Sequence, residues 1–152
     1  MATCHSQCID VLKRFLGRIV HRSLIRALDV ATGDGRLSTS LLMRSYKKVD
    51  MFDQCPVGLG KAKCSTVGNP ALGNIQLSSM QNYAWPFFYS AIFMVWASGY
   101  LDRAELVAFL KKAKTKLIVD EGRISRNRTP ESFIFLFDNI LEEGEEARVV
   151  KG

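Results

Sequence analysis

Arg26-Ala27-Leu28-Asp29-Val30-Ala31-Thr32-Gly33-Asp34-Gly35-Arg36 decides the fold of this chain, together with Asp53 downstream. A short apolar run ends near Asp29, breaks into a turn built on Gly33 and Gly35, and re-enters a helical pattern over Leu37 to Met43. That order reads as strand, glycine turn, helix. Glycine is required where the chain turns sharply off a strand and lies close against a ligand, because a Cβ there would collide with it. The following helix points its unpaired amide donors at the same spot.

The strand before the turn is apolar from Leu24 to Val30, and Arg26 interrupts it, so the strand proper is expected to begin at Ala27. After the turn, Leu37, Leu41, Leu42 and Tyr46 give a helix that Lys47 and Lys48 close, where positive charge suits a helix C-terminus. Val49 to Phe52 is a second strand ending at Asp53. This spacing returns the Asp53 carboxylate to the glycine turn, where it can accept hydrogen bonds from a ribose. A dinucleotide fingerprint would place Gly or Ala where Ser38 stands, which tilts the ligand towards an adenosine without a pyrophosphate.

With 152 residues, 47% hydrophobic and 24% charged, the chain has the composition of one ordinary globular domain. Its formal net charge is +6, from 21 Lys and Arg against 15 Asp and Glu. The basic residues gather in Lys13 to Arg26 and again in Lys111 to Arg128, whereas Glu142 to Glu146 is acidic. Such runs read first as solvated helix faces, and they are also compatible with nucleic acid or an acidic partner. Cys4, Cys8, Cys55 and Cys64 lack the paired short spacing of a structural zinc site, so no metal is expected. Without a secretory signal, a reduced intracellular setting is expected, cytoplasmic or nuclear.

The first twenty residues place Leu12, Phe15, Leu16 and Ile19 on one helical face, with Lys13, Arg14 and Arg18 between them. A helix packed on a sheet has this pattern, and so does a mitochondrial address. The uncharged stretch Tyr83 to Tyr100 is broken by Pro86, Ser90, Ser98 and Gly99, which makes it a buried strand with flanking turns and not a membrane span.

The segment Ala27 to Ser38, followed by Val49-Asp50-Met51-Phe52-Asp53, resembles motif I and the next acidic strand of class I S-adenosylmethionine-dependent methyltransferases. More narrowly, with Arg36 directly after the glycine turn, it is similar to the protein alpha-N-terminal methyltransferases, which act on chains that begin Xaa-Pro-Lys after Met removal. The likeness runs from about Gln7 to Asn139. It implies an α/β fold, a Rossmann-like parallel sheet with flanking helices and strand order 3-2-1-4-5, over a single incomplete domain lacking the last two strands of the methyltransferase fold.

The resemblance also implies site residues. Asp29, Gly33, Gly35, Arg36 and Asp53 would hold S-adenosylmethionine, with Met80 and Gln81 at the adenine. Trp96 and Tyr100 would wall the acceptor channel, and Asp138 and Asn139, at the end of a fifth strand over Phe133 to Asn139, would orient an acceptor amine. Leu106 to Leu117 reads as an amphipathic helix. The chain departs from the pattern in five places. Ala31 stands where the family has its first glycine, a change the backbone tolerates when φ is negative there. Val95 replaces a cofactor-contacting Gln, and Tyr100 replaces a His, although a phenol is a poor base near neutrality. The family's aromatic segment upstream and its acidic residue and two strands downstream have no counterpart.

These departures leave three readings open: a protein N-terminal methyltransferase, a methyltransferase-like binding or scaffold subunit without the chemistry, and a nucleic-acid methyltransferase supported only by the basic balance. A fifth strand rich in Phe and Ile at the sheet edge invites pairing. Hence a fragment, a short isoform, or a subunit whose fifth-strand edge is covered by a protein partner is expected.

Overall fold

A computed structural model describes residues 4–18, 24–119 and 132–138. Five parallel strands, β1 (Arg26–Val30), β2 (Lys48–Asp53), β3 (Leu72–Leu77), β4 (Ala91–Val95) and β5 (Phe133–Phe137), form one sheet in the order β3-β2-β1-β4-β5. This is the expected Rossmann-like arrangement. The helices are α1 (Cys4–Arg18), α2 (Met43–Ser45, entered through a π turn at Ser38–Leu42), α3 (Pro56–Thr66) and α4 (Arg103–Thr115).

Parallel strands covered on both faces alternate their side chains between two cores. Ala27, Val49, Met51, Ala91, Phe93 and Phe135 meet Leu12 and Leu16 of α1 and Leu41 and Leu42 of the π turn. Leu28, Val30, Phe52, Ile92 and Met94 meet Tyr83, Trp85 and Tyr89 and Phe109 and Ala113 of α4. Phe15 of α1 sits edge-on to Phe133, with ring centroids 5.4 Å apart, and covers one face of β5. Ile19 lies outside the described residues. β5 is an edge of the sheet, and its outer main chain pairs with no described strand. The uncharged stretch is β4 with turns on either side, as expected, and no helix among the described residues is long and apolar enough to cross a membrane.

Several boundaries differ from expectation for local reasons. β1 begins at Arg26, not Ala27, because the Arg26 guanidinium pairs with the buried Asp50 carboxylate at 2.6 Å and so stays within the strand. The helix after the glycine turn opens into a π turn where Ser38 turns its hydroxyl to Asp29 and the Thr39 hydroxyl bonds the Gly35 carbonyl, competing with the regular ladder. It ends at Ser45, so Arg44 supplies the charge of the last turn and Lys48 already belongs to β2. α4 starts at Arg103, ahead of Leu106, because Asp102 and Glu105 form a capping box.

Candidate functional site

The register sets Val30 beside both Phe52 and Met94, so β1, β2 and β4 finish at one edge of the sheet. In that strand order β1 has neighbours on opposite sides, which opens a crevice beyond the strand ends. A cavity of about 510 Å³ lies there. Asp29, Gly33, Arg36, Asp53, Met80, Trp96 and Tyr100 all line it, as does Val95.

Asp29, at 2% exposure, closes the inner end. Its Oδ2 accepts the hydroxyls of Ser38 at 2.6 Å and Thr32 at 2.7 Å. Burial pushes its pKa up from 3.8 to about 6, against the lowering effect of those two bonds. Asp53 is tied to the turn: Oδ2 accepts the Gly33 amide at 2.8 Å and Oδ1 the Cys55 amide at 2.7 Å. Each oxygen keeps a further lone pair for a ligand hydroxyl.

Gly33 and Gly35 both have positive φ, +57° and +80°. Their reasons differ, which corrects the expectation that a ligand excludes a Cβ at both. A Cβ on Gly33 would meet nothing within 4 Å and faces open space. On Gly35 it would lie 3.0 Å from the Ala62 Cβ of α3, so Gly35 is there for helix packing and does not line the cavity. Ala31 has φ of +53°, so the condition for painless loss of that glycine is not met.

Arg36 bonds Asp34 through Nε at 2.8 Å on the open side of the cavity. Gln81 is directed away from it, with its amide 3.3 Å from Glu105. Trp96 carries φ of +54°, and its ring stands edge-on to Phe137 at 6.2 Å. Tyr100, 71% exposed, forms the rim. Asp138 is not brought to the cavity wall: its carboxylate accepts both the amide and the hydroxyl of Ser98, holding the turn after β4 to the end of β5. Asn139 lies outside the described residues.

Sequence reasoning missed Gln54, Cys55 and Gly58 as lining residues, and it did not single out Ser78 and Ser79 within the Ile75 to Tyr83 stretch that resembles the family's adenine-holding segment. The first two follow Asp53 directly and Ser78 follows β3, so the topology alone would have supplied them. Gly58 lets α3 approach: its Cβ would stand 3.2 Å from the Gly33 carbonyl. With Asp29, Asp34 and Asp53 against one guanidinium, the lining suits a ligand that carries positive charge and hydroxyl donors. No cluster of three or more His, Cys, Asp or Glu able to hold a metal occurs among the described residues.

A family model described as AdoMet dependent proline di-methyltransferase matches residues 5–141. An N-terminal Xaa-Pro-Lys N-methyltransferase 1-B from Xenopus laevis is 30% identical over 140 residues, covering 87% of this chain and 57% of that protein. An alpha N-terminal protein methyltransferase 1 from Caenorhabditis elegans is 30% identical, covering 90% and 56%. Among solved structures, a SAM-dependent methyltransferase from Leishmania major superposes with a TM-score of 0.74 at 29% identity, covering 86% of this chain and 49% of that one. The chain spans about half the length of these relatives.

Proposed function

Because the chain belongs to the AdoMet-dependent proline di-methyltransferase family, we propose that its cavity binds S-adenosylmethionine and that the domain serves methylation of a protein N-terminal α-amine. The observation that carries this reading is the Asp53 carboxylate held at the Gly33 turn, across the ends of β2 and β1. Asp53 has lone pairs left for the two ribose hydroxyls. Gly33 leaves the backbone bare on the cavity side. Met80 offers an apolar surface to the adenine, with the main chain of Gln81 at its edge. Asp29 and Asp34 oppose a positively charged ligand, and Arg36 with the helix start after Gly35 faces a carboxylate.

The bound cofactor supplies an electrophilic methyl group on a sulfonium. The chain's own tasks are to align a neutral amine with it and to keep water from the approach. Trp96 and Tyr100 wall that approach. Asp138, through Ser98, fixes the turn that carries Tyr100, and the orienting of the amine is assigned to Asn139. A protein partner pairs with the β5 edge, which no described strand covers.

Titration calorimetry with S-adenosylmethionine tests the cavity: binding is expected, and a folded preparation that binds none overturns the proposal. Mass spectrometry of a Xaa-Pro-Lys peptide tests the acceptor, with an added methyl expected; methylation of RNA and not of the peptide would reassign it. The engagement of Asp138 with Ser98 favours a second reading, a subunit that binds the cofactor without transferring its methyl. Cofactor binding with no methylated peptide selects it.

A further inference from the structure

The end of the sheet opposite the cavity carries exposed apolar side chains among cations. Main-chain bonds bring its parts together: Lys47 and Lys48 donate to the carbonyls of Leu24 and Ile25, Ser90 to Arg26, and Tyr89 to Lys116. Leu24, Ile25, Phe87 and Phe88 are all exposed here, Ile25 at 54% and Phe88 at 60%. The Arg26 guanidinium lies 4.0 Å from the Phe87 ring centre, and the Lys116 ammonium 5.0 Å from that of Phe88. Lys47 adds a further exposed charge. Asp50, the carboxylate that Arg26 reaches here, is buried and already paired with it.

Exposed apolar side chains set among charges of one sign mark an interaction surface more than a solvated face. We propose that this end of the sheet docks an acidic protein segment that carries apolar anchor residues. Charge complementarity selects the sign: Lys47 and Lys116 flank the patch, and no described acidic side chain competes for them. Each Phe ring has a cation on one face, which takes a platform that a nucleobase would need for stacking. Apolar anchors can instead pack on Ile25 and the free sides of the rings, with flanking carboxylates reaching the ammonium groups. The surface lies at the far end of the strands from Asp29 and Asp53, so a docked segment and an occupied cavity are compatible.

The full chain panned against a random-peptide display library tests this, with recovered peptides titrated by fluorescence anisotropy at low and high salt. Sequences in which Asp or Glu flank Leu or Phe are expected, with affinity falling as salt rises. Phe88→Ser and Lys116→Glu are each expected to weaken binding about tenfold, with the circular dichroism spectrum and S-adenosylmethionine titration unchanged. Recovery of no peptides, peptides without acidic excess, or affinities that both variants leave intact would overturn the proposal. So would tighter binding to single-stranded RNA or to phosphatidylserine vesicles than to any recovered peptide.

Discussion

Asp53 Oδ2 accepts the amide of Gly33 at 2.8 Å, joining the end of β2 to the turn after β1 across twenty residues of chain. The second oxygen takes the Cys55 amide at the entry to α3. One carboxylate therefore sets the turn, the helix start and the outer edge of the cavity.

Asp53→Asn keeps one acceptor but turns an NH2 towards one of these two amides. Charge-assisted bonds of this kind contribute roughly 1.5–3 kcal/mol. Calorimetry below the unfolding transition is expected to show S-adenosylmethionine affinity at least about tenfold weaker. Wild-type affinity would show that Asp53 does not contact the ligand.

Asp29 governs a pH dependence of stability. Its pKa is 3.8 when exposed and about 6 in the folded chain. The folded state thus holds the proton more tightly, so this contribution is fully present below about pH 4 and is lost as pH rises through about 6. Asn at this position stays neutral, and its carbonyl oxygen can take the Ser38 and Thr32 hydroxyls, since both already land on one oxygen. Urea titrations are expected to show Asp29→Asn gaining on wild type by roughly 2–2.5 kcal/mol between pH 4 and 7. A constant gap would place the charge elsewhere.

The first half of the site was legible because its signals are local and strong: Asp29, Gly33 and Asp53 are fixed by strand, turn and strand in unbroken succession. The resemblance extended this to strand order and to β4 and β5. Residues 54–74 gave no comparable signal. Gly58 and Gly60 lower helix propensity inside α3, where Gly58 serves close packing on the turn, and β3 is only half-buried, so its apolar run is short. Arg26 misled for the opposite reason, since the residue that neutralises it, Asp50, is twenty-four positions away. Side-chain direction was legible for Asp53, which returns to the Gly33 turn, but not elsewhere: Gln81 and Asp138 lie beside the cavity in sequence terms yet serve Glu105 and Ser98, and Gly35 serves α3.

Ala31 is the place where stability can be recovered. Its φ of +53° is costly for a residue with a Cβ, by about 1–2 kcal/mol, and glycine removes that cost while loosening the unfolded chain by about 0.4–1 kcal/mol. Ala31→Gly is expected to raise the urea midpoint by an amount equal to about 0.5–1 kcal/mol. A lower midpoint would show that the methyl contributes packing that outweighs the backbone strain.

The buried pair beneath the sheet gives the largest expected loss. Asp50 accepts from Arg26, from the Asn74 amide at 2.8 Å and from the Tyr89 hydroxyl at 3.2 Å, and Tyr89 in turn meets Tyr83 at 2.9 Å. Burial pushes the Tyr83 hydroxyl up to about 12 and Tyr89 upward as well, so both stay neutral partners over the whole working range. A Cβ on Gly73 would lie 2.1 Å from Asp50 Oδ1, so Gly73→Ala must displace the carboxylate from three donors at once. Breaking a buried charge pair costs roughly 3–5 kcal/mol, a large share of an ordinary domain's stability. Gly73→Ala and Asp50→Ala are each expected to lower stability by about that much. Because they break the same contacts, the double variant is expected to fall well short of the sum, leaving a coupling above about 1 kcal/mol in denaturant titrations. Additive losses would mean that Gly73 is needed for its approach to the Val49 carbonyl, 3.0 Å from the same Cβ, and not for Asp50.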